Sequence, residues 1–160
     1  MTRNRLVLLV ILAASMLMLA CEQKPKEVPQ NTAIYDSLKA QQYGADDWGM
    51  RRYVIAFLKR GPNRDLPEEE ARELQAAHMK NIGDMADAGK LAVAGPFLGN
   101  DDLRGIYIFN VETIEEAEAL TNTDPAIQAG SLVMELKEWY GSAALMAVPE
   151  IHDSITKEKF

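Results

Sequence analysis

One histidine lies on the apolar side of a predicted helix, where an imidazole is unusual. The stretch ARELQAAHMKNIG has helical periodicity, and at 100° per residue His78 falls within its apolar stripe. Its neighbours in that stripe are Ala71, Leu74, Ile82, Met85 and Gly89. Such a residue is either a core histidine satisfied by a backbone carbonyl or the working group of a site. Periodicity alone favours the core histidine.

A second residue with acid–base chemistry is Asp124, in the segment NTDPAIQAG. An aspartate before a proline is typical of a helix N-cap, because its carboxylate accepts from the first free backbone N–H groups of the helix. Taken alone, Asp124 is therefore better explained as a cap than as a catalytic group. One carboxylate oxygen can cap while the other contacts a second side chain, so the two roles are compatible.

The first 20 residues are typical of an export signal. MTRNR carries two arginines and no acid, LVLLVILAASMLMLA is an apolar run, and small residues precede Cys21. The run is short for a membrane span, which needs about 20 apolar residues. LMLAC resembles the bacterial lipobox, which implies cleavage before Cys21 and acylation of that cysteine. The alternatives are an ordinary cleaved signal or an uncleaved anchor.

The composition excludes several classes of protein. Cys21 is the only cysteine, so no internal disulfide can form. Without residues 1–20 the chain has 15 basic and 24 acidic residues, a formal charge of −9, and no basic stripe that would bind nucleic acid. Two distant histidines and no His-x-x-x-His spacing predict no metal site, and no glycine-rich motif indicates a cofactor.

We divide the chain into four parts. Residues 1–20 are the signal, 21–50 a polar tether with one possible short helix, 51–141 the folded domain, and 142–160 a C-terminal extension. Glu22 stands where an aspartate retains Gram-negative lipoproteins at the inner membrane, so we expect the periplasmic side of the outer membrane in such a host.

Residues 51–139 alternate between strand and helix patterns. β-rich runs at 51–59, 90–96, 103–111 and 132–139 predict four strands, and helices are predicted from about Asp65 to Gly89 and from Thr113. Asp65 is expected to cap the first helix, with Pro67 in its first turn. Gly95-Pro96 is expected to shape the entry to the hairpin between the second and third strands and, as a secondary function, the pocket where a ligand approaches closely.

The resulting fold class is α+β, with a ferredoxin-like βαββαβ order. Right-handed crossovers place both helices on one face of the sheet and leave the other uncovered. Neither alternate set of residues in the first strand is polar, so both sheet faces need burial. We therefore expect a homodimer whose sheets pack face to face.

These segments in this order resemble the YCII-related (YciI-like) domain family. The resemblance rests on YVIAFLKRGP, a helix with AAHM, DAGKLAVAGPF, a helix with EEAEAL, an Asp-Pro dipeptide and a last strand ending in EW, over residues 53–140. It implies a dimeric α/β barrel and a pocket in which His78 meets Asp124. One branch of the family is similar to a dehydrochlorinase that acts on a chlorinated hydroxyquinone with such a pair.

Two functions remain open at this stage. The first is a small enzyme without a cofactor, in which His78 and Asp124 abstract a proton from a small cyclic or aromatic molecule or eliminate a group from it. The second is a non-catalytic envelope lipoprotein that binds a small ligand or a protein partner through its dimeric barrel. Both functions require the same fold, so the sequence does not separate them.

Overall fold

The computed structural model describes residues 34–158, and the fold is one α+β unit from Asp36 onward. Within these residues a short helix, α1 (Ser37–Gln42), precedes four strands, four further α-helices and one 3₁₀ helix. The strands are β1 (Met50–Arg60), β2 (Leu91–Pro96), β3 (Leu103–Phe109) and β4 (Leu132–Ser142). The helices are α2 (Glu68–Asp87), α3 (Ile114–Thr121), α4 (Pro125–Gln128) and, after a 3₁₀ helix at Ala143–Ala147, α5 (Val148–Ile155).

The four strands form one antiparallel sheet in the order β2-β3-β1-β4. This is the predicted ferredoxin-like βαββαβ arrangement, with β1 as a central strand. Val54, Ala56 and Leu58 of β1 point to the helix-covered face, where they are buried against Tyr107 and Phe109 of β3. Burying a side chain of this size contributes about 1.5 to 3 kcal/mol, so this face supplies much of the stability.

Helix α2 begins at Glu68, three residues later than expected, and Asp65 does not cap it. Pro67 occupies the N-cap position with an extended ψ of 147°. The proline also disfavours helical backbone at Leu66, so the helix cannot start before it. Glu68, Glu69 and Glu70 still place negative charge at the positive end of the helix dipole.

Helix α2 is terminated by a glycine, as predicted. Gly89 has a φ of +66°, which L-residues with a side chain rarely adopt. Its N–H donates to Ala86 O and the N–H of Lys90 donates to Met85 O, a Schellman pair that satisfies the last carbonyls. The chain then passes directly into β2, so this turn sets where β2 enters the sheet.

Helix α3 starts with the predicted capping box. The Thr113 hydroxyl accepts from Glu116 N, and the Glu116 carboxylate accepts from Thr113 N. Asn122 ends this helix, and Asp124 caps the short helix α4 that follows. Two short helices in series therefore bring residues 121–126 over the sheet beside α2.

The C-terminal segment covers part of the sheet face that was expected to be open. Leu145 and Met146 of the 3₁₀ helix pack against Tyr53, Ala92 and Ile108. The expectation that this face has no cover within the chain was therefore wrong in part. The cause is a segment without a strong pattern of its own, because its apolar residues follow neither a strand nor a long helix.

Within residues 34–158, no helix is both long enough and apolar enough to cross a membrane. The predicted signal and residues 21–33 of the predicted tether, including Cys21, lie outside the described residues.

Candidate functional site

Helix α2 places His78 over the helix-covered face of the sheet. The residue is 8% exposed, and Met85, two turns later on the same side, is buried with it. Leu74 and Ile82 are half-buried on either side of the imidazole. The apolar stripe therefore faces the core as its period predicts, and His78 is carried inside with it.

Asp124 is completely buried, although it lies at the start of a short helix. Its Oδ1 accepts from Ala126 N at 2.9 Å, which is the expected N-cap bond. Its own N–H donates to Thr121 O at 3.1 Å. The cap holds the carboxylate in a fixed direction, toward α2.

The structure brings His78 and Asp124 into direct contact, although 46 residues separate them in the chain. His78 Nδ1 lies 2.8 Å from Asp124 Oδ2 and 3.0 Å from Oδ1. An ionised carboxylate only accepts hydrogen bonds, so this contact assigns the ring proton to Nδ1 and leaves a lone pair on Nε2. The capping and pairing functions of Asp124 coexist, because Oδ1 accepts the cap bond from Ala126 N while Oδ2 makes the shorter contact with His78.

Tyr107 is the third polar group here, and it was not singled out from the sequence. Its hydroxyl lies 3.4 Å from His78 Nε2, and the residue is 2% exposed. Burial, and to a smaller degree the charge of Asp124, raises the pKa of the Tyr107 phenol well above its usual value of 10.0. Tyr107 therefore stays protonated at neutral pH and can donate to Nε2. Strand alternation in β3 could have found it, since a buried phenol needs a polar partner.

The sheet surface beside Tyr107 is not fully covered by helices. Ala94 pairs with Tyr107 and Pro96 pairs with Gly105, so the side chains of Ala94 and Pro96 share the helix-covered face, yet both residues are exposed. A side chain at position 105 would place Cβ 2.7 Å from Gly95 O, so only glycine fits there. This strip of small residues adjoins the buried Tyr107 on the helix-covered face.

Gly95 and Pro96 belong to the β2–β3 hairpin, where they pair with Ile106 and Gly105. They do not contribute a polar side chain to the histidine. Their predicted function in shaping a pocket stays a prediction.

Two surface grooves lie away from the histidine. One, of about 340 Å³, is lined by Arg52, Glu112, Glu138, Trp139 and Tyr140. The other, of about 500 Å³, lies along β4 and is lined mainly by apolar side chains, including Ile114, Ile127 and Met134. Neither groove is lined by His78 or Asp124, so the pair is a nearly closed site.

Among residues 34–158, no three His, Cys, Asp or Glu side chains are grouped as a metal site would require. The site described here consists of one imidazole, one carboxylate and one phenol. These groups can move protons without a metal or an organic cofactor. The absence of both from the working protein stays a prediction.

Comparison with known proteins assigns the folded part of the chain to a family. It is 29% identical over 72 residues to the uncharacterised protein YjpA of Bacillus subtilis strain 168, covering 45% of this chain and 82% of YjpA. A solved structure, 5-chloro-2-hydroxyhydroquinone dehydrochlorinase (TftG) from Burkholderia phenoliruptrix AC1100 in complex with 2,5-dihydroxybenzoquinone, is 20% identical. It is similar to 54% of this chain and 92% of its own, with a TM-score of 0.40. Residues 53–140, more than half of the chain, match the model of the YCII-related domain. The chain therefore belongs to the YCII-related domain family.

Proposed function

We propose that this protein is a small enzyme in which His78, oriented by Asp124, moves protons on a small cyclic or aromatic molecule. The observation that carries the proposal is the buried contact of 2.8 Å between His78 Nδ1 and Asp124 Oδ2. A carboxylate in this position fixes the ring and stabilises the imidazolium that forms when Nε2 takes a proton.

The reaction is a proton abstraction or an elimination. On a hydroxylated ring the substrate reacts as a keto tautomer, in which the carbon that carries the leaving group is sp³. His78 Nε2 takes a proton from a conjugated O–H or C–H bond, the electron pair of that bond forms a new double bond, and the leaving group departs with its own pair. The imidazolium then returns its proton to solvent or to the product. Tyr107, which stays protonated, donates to an oxygen of the substrate that gains negative charge.

The test compares substitutions at the two histidines of the chain. We choose 5-chloro-2-hydroxyhydroquinone as the first probe, because it is a small hydroxylated ring with a leaving group, and chloride release as the measurement. His78→Gln should lower kcat at least about 100-fold, the lower end for a lost general base. His152→Gln is the matched control, because His152 is exposed on α5. A folded His78→Gln variant that retains wild-type turnover would contradict the proposal.

A second candidate is a non-catalytic binding protein, which the near-complete burial of the pair favours. His78 and Asp124 are 8% and 0% exposed, as expected for a core histidine that is satisfied by a carboxylate. If the wild type turns over neither this probe nor related halogenated or hydroxylated rings, the second candidate replaces the first.

We further propose that the protein is a homodimer that uses the sheet face away from α2 and α3. Phe57 and Ile106 are half-buried there, and Val133 and Trp139 are exposed at 43% and 37%. Charges of both signs lie on the same face, as a surface that meets its own copy requires. Sedimentation of the wild type should give a dimer, and Val133→Glu should shift it toward the monomer.

Cys21 is proposed as a lipid anchor that holds the domain at the periplasmic side of the outer membrane in a Gram-negative host. The support is the apolar run and the lipobox-like LMLAC. Labelling of growing cells with palmitate should tag the wild type and not Cys21→Ser. Labelling of both would place the acyl group elsewhere.

A further inference from the structure

A second contact joins helix α2 to the segment that carries Asp124. Asn81 lies three residues after His78, close to one helical turn, and so faces the same side of α2. Its Nδ2 donates to Thr123 Oγ1 at 2.9 Å and to Thr123 O at 3.3 Å. Thr123 immediately precedes Asp124, so the two contacts hold adjacent residues of one segment.

The orientation of the Asn81 amide follows from its partner. Thr123 O can only accept, and the Thr123 hydroxyl already donates to Leu120 O at 2.7 Å. The amide must therefore present its NH₂ group to Thr123. Its Oδ1 is left buried without a hydrogen-bond partner among the described residues.

An unsatisfied buried acceptor offsets much of what the hydrogen bonds contribute. The net contribution of one hydrogen bond to stability is small, whereas a buried polar atom without a partner carries a desolvation cost of similar or larger size. The Asn81–Thr123 contact is therefore a weak stabiliser of the fold. Its main effect is geometric, because one contact between a helix and a loop permits pivoting and two contacts restrict it.

We propose that Asn81 is a positioning residue that, through Thr123, sets where the Asp124 carboxylate meets His78. The inference rests on the proposed function in one respect, since it treats the pair as a working acid–base group. Without the Asn81 contact, the cap bond to Ala126 N still fixes the carboxylate within its own segment, but the segment 122–124 can shift relative to α2 and His78. The carboxylate then no longer holds the ring in one orientation.

The experiment measures the His78 ring directly by nitrogen NMR of protein with labelled histidine. His78→Gln identifies the His78 signals, so His152 does not confuse them. In the wild type we expect one tautomer, protonated at Nδ1, with a slowly exchanging proton. In Asn81→Ala and Thr123→Val that proton should exchange at least about tenfold faster, because the site opens more often. Thr123→Ser keeps the hydroxyl and should restore wild-type exchange.

Gln128→Ala is the matched control. Gln128 Nε2 donates to Asn122 O at 2.9 Å, so the control removes a similar amide–carbonyl bond from the same segment without touching Thr123. The proposal is overturned if Asn81→Ala folds and leaves exchange unchanged, or if Gln128→Ala accelerates it equally. If Asn81→Ala does not fold, the comparison of Thr123→Val with Thr123→Ser decides.

Turnover gives an independent readout. With 5-chloro-2-hydroxyhydroquinone, Asn81→Ala should lower kcat by up to about 100-fold, the effect of a displacement near 1 Å, and leave KM unchanged. If His78→Gln does not change turnover, the proposed function fails, and the NMR comparison still decides the position of the carboxylate.

Discussion

His78, Asp124 and Tyr107 form one chain of contacts in which each group has a separate protonation function. The Asp124 carboxylate accepts a hydrogen bond from His78 Nδ1, and the Tyr107 hydroxyl lies 3.4 Å from His78 Nε2, to which it can donate. The long second contact matters, because a tight bond from Tyr107 would occupy the lone pair that the proposed reaction uses. A substrate can therefore displace Tyr107 from Nε2 at a small cost.

The raised pKa of Tyr107 gives a prediction for the phenol absorbance. Because burial raises that pKa, the Tyr107 hydroxyl stays protonated as pH rises through 10.0 while the protein is folded. Wild type and Tyr107→Phe should then gain equal phenolate absorbance between about pH 9 and 11. In guanidinium both proteins are unfolded, and the wild type has five tyrosines against four in the variant. Its gain in phenolate absorbance should then be larger by the contribution of one tyrosine. A difference of one tyrosine in the folded proteins would contradict the burial argument.

Individual residues of the site could be identified from the sequence to different degrees. The apolar stripe of α2 identified His78, and the Asp-Pro turn identified Asp124 as a cap. No periodic pattern reports that two residues 46 positions apart will meet, so their pairing came from the family resemblance. Asn81 was missed because a polar residue on a helix has the same pattern whether it faces solvent or a loop.

The elements that position the site follow from local signals with two exceptions. Strand alternation, the Thr113 capping box and the Gly89 turn each occur where the sequence predicts them. Helix α2 starts later than predicted because Pro67 disfavours helical backbone angles at the residue before it. The packing of residues 143–155 onto the sheet was not predicted, because it depends on a sheet face that forms only in the complete fold.

The packing of the 3₁₀ helix can be tested with one substitution. Leu145 is partly buried against the cluster of Tyr53, Ala92 and Ile108. Leu145→Ala should lower the free energy of unfolding by about 1 to 2 kcal/mol, less than for a fully buried leucine. Ile155→Ala is the control, because Ile155 is 76% exposed and its change should stay within about 0.5 kcal/mol. Equal urea midpoints for wild type and Leu145→Ala would show that the segment is not held there.

At the scale of the whole molecule, the two sheet faces have different chemistry. The face under α2 is closed and holds the site. On the other face, Glu135 of β4 pairs with Lys59 across to β1 and with Lys137 along its own strand. These side chains are about 40 to 60% exposed, so salt weakens their pairing. The contribution of these ion pairs to stability therefore depends on pH and ionic strength.

The ion pairs on the open face give a prediction for acid stability. The hydrogen bond from Lys137, and then that from Lys59, lowers the pKa of Glu135 from 4.5 to about 2. A lowered carboxyl pKa stabilises the fold above pH 4.5, and this contribution is lost as pH falls from 4.5 toward 2. Glu135→Gln should therefore be less stable than wild type at pH 7, with a difference that disappears near pH 2. Urea unfolding of both proteins at pH 7 and pH 2, repeated at high salt, measures this difference in stability. A difference that persists at pH 2 would assign the effect to packing.

The separation of 46 positions between His78 and Asp124 affects the order in which the molecule folds. The intervening chain contains the β2–β3 hairpin and α3, so the loop between the two residues closes only after those elements have formed and docked. Closing a loop costs entropy that local helix formation does not recover, so such long-range contacts form late in folding. A molecule that has folded only its first strand and helix carries the histidine without its carboxylate. Formation of the pair therefore belongs to the late steps of folding, and the proton transfer proposed for it requires those steps.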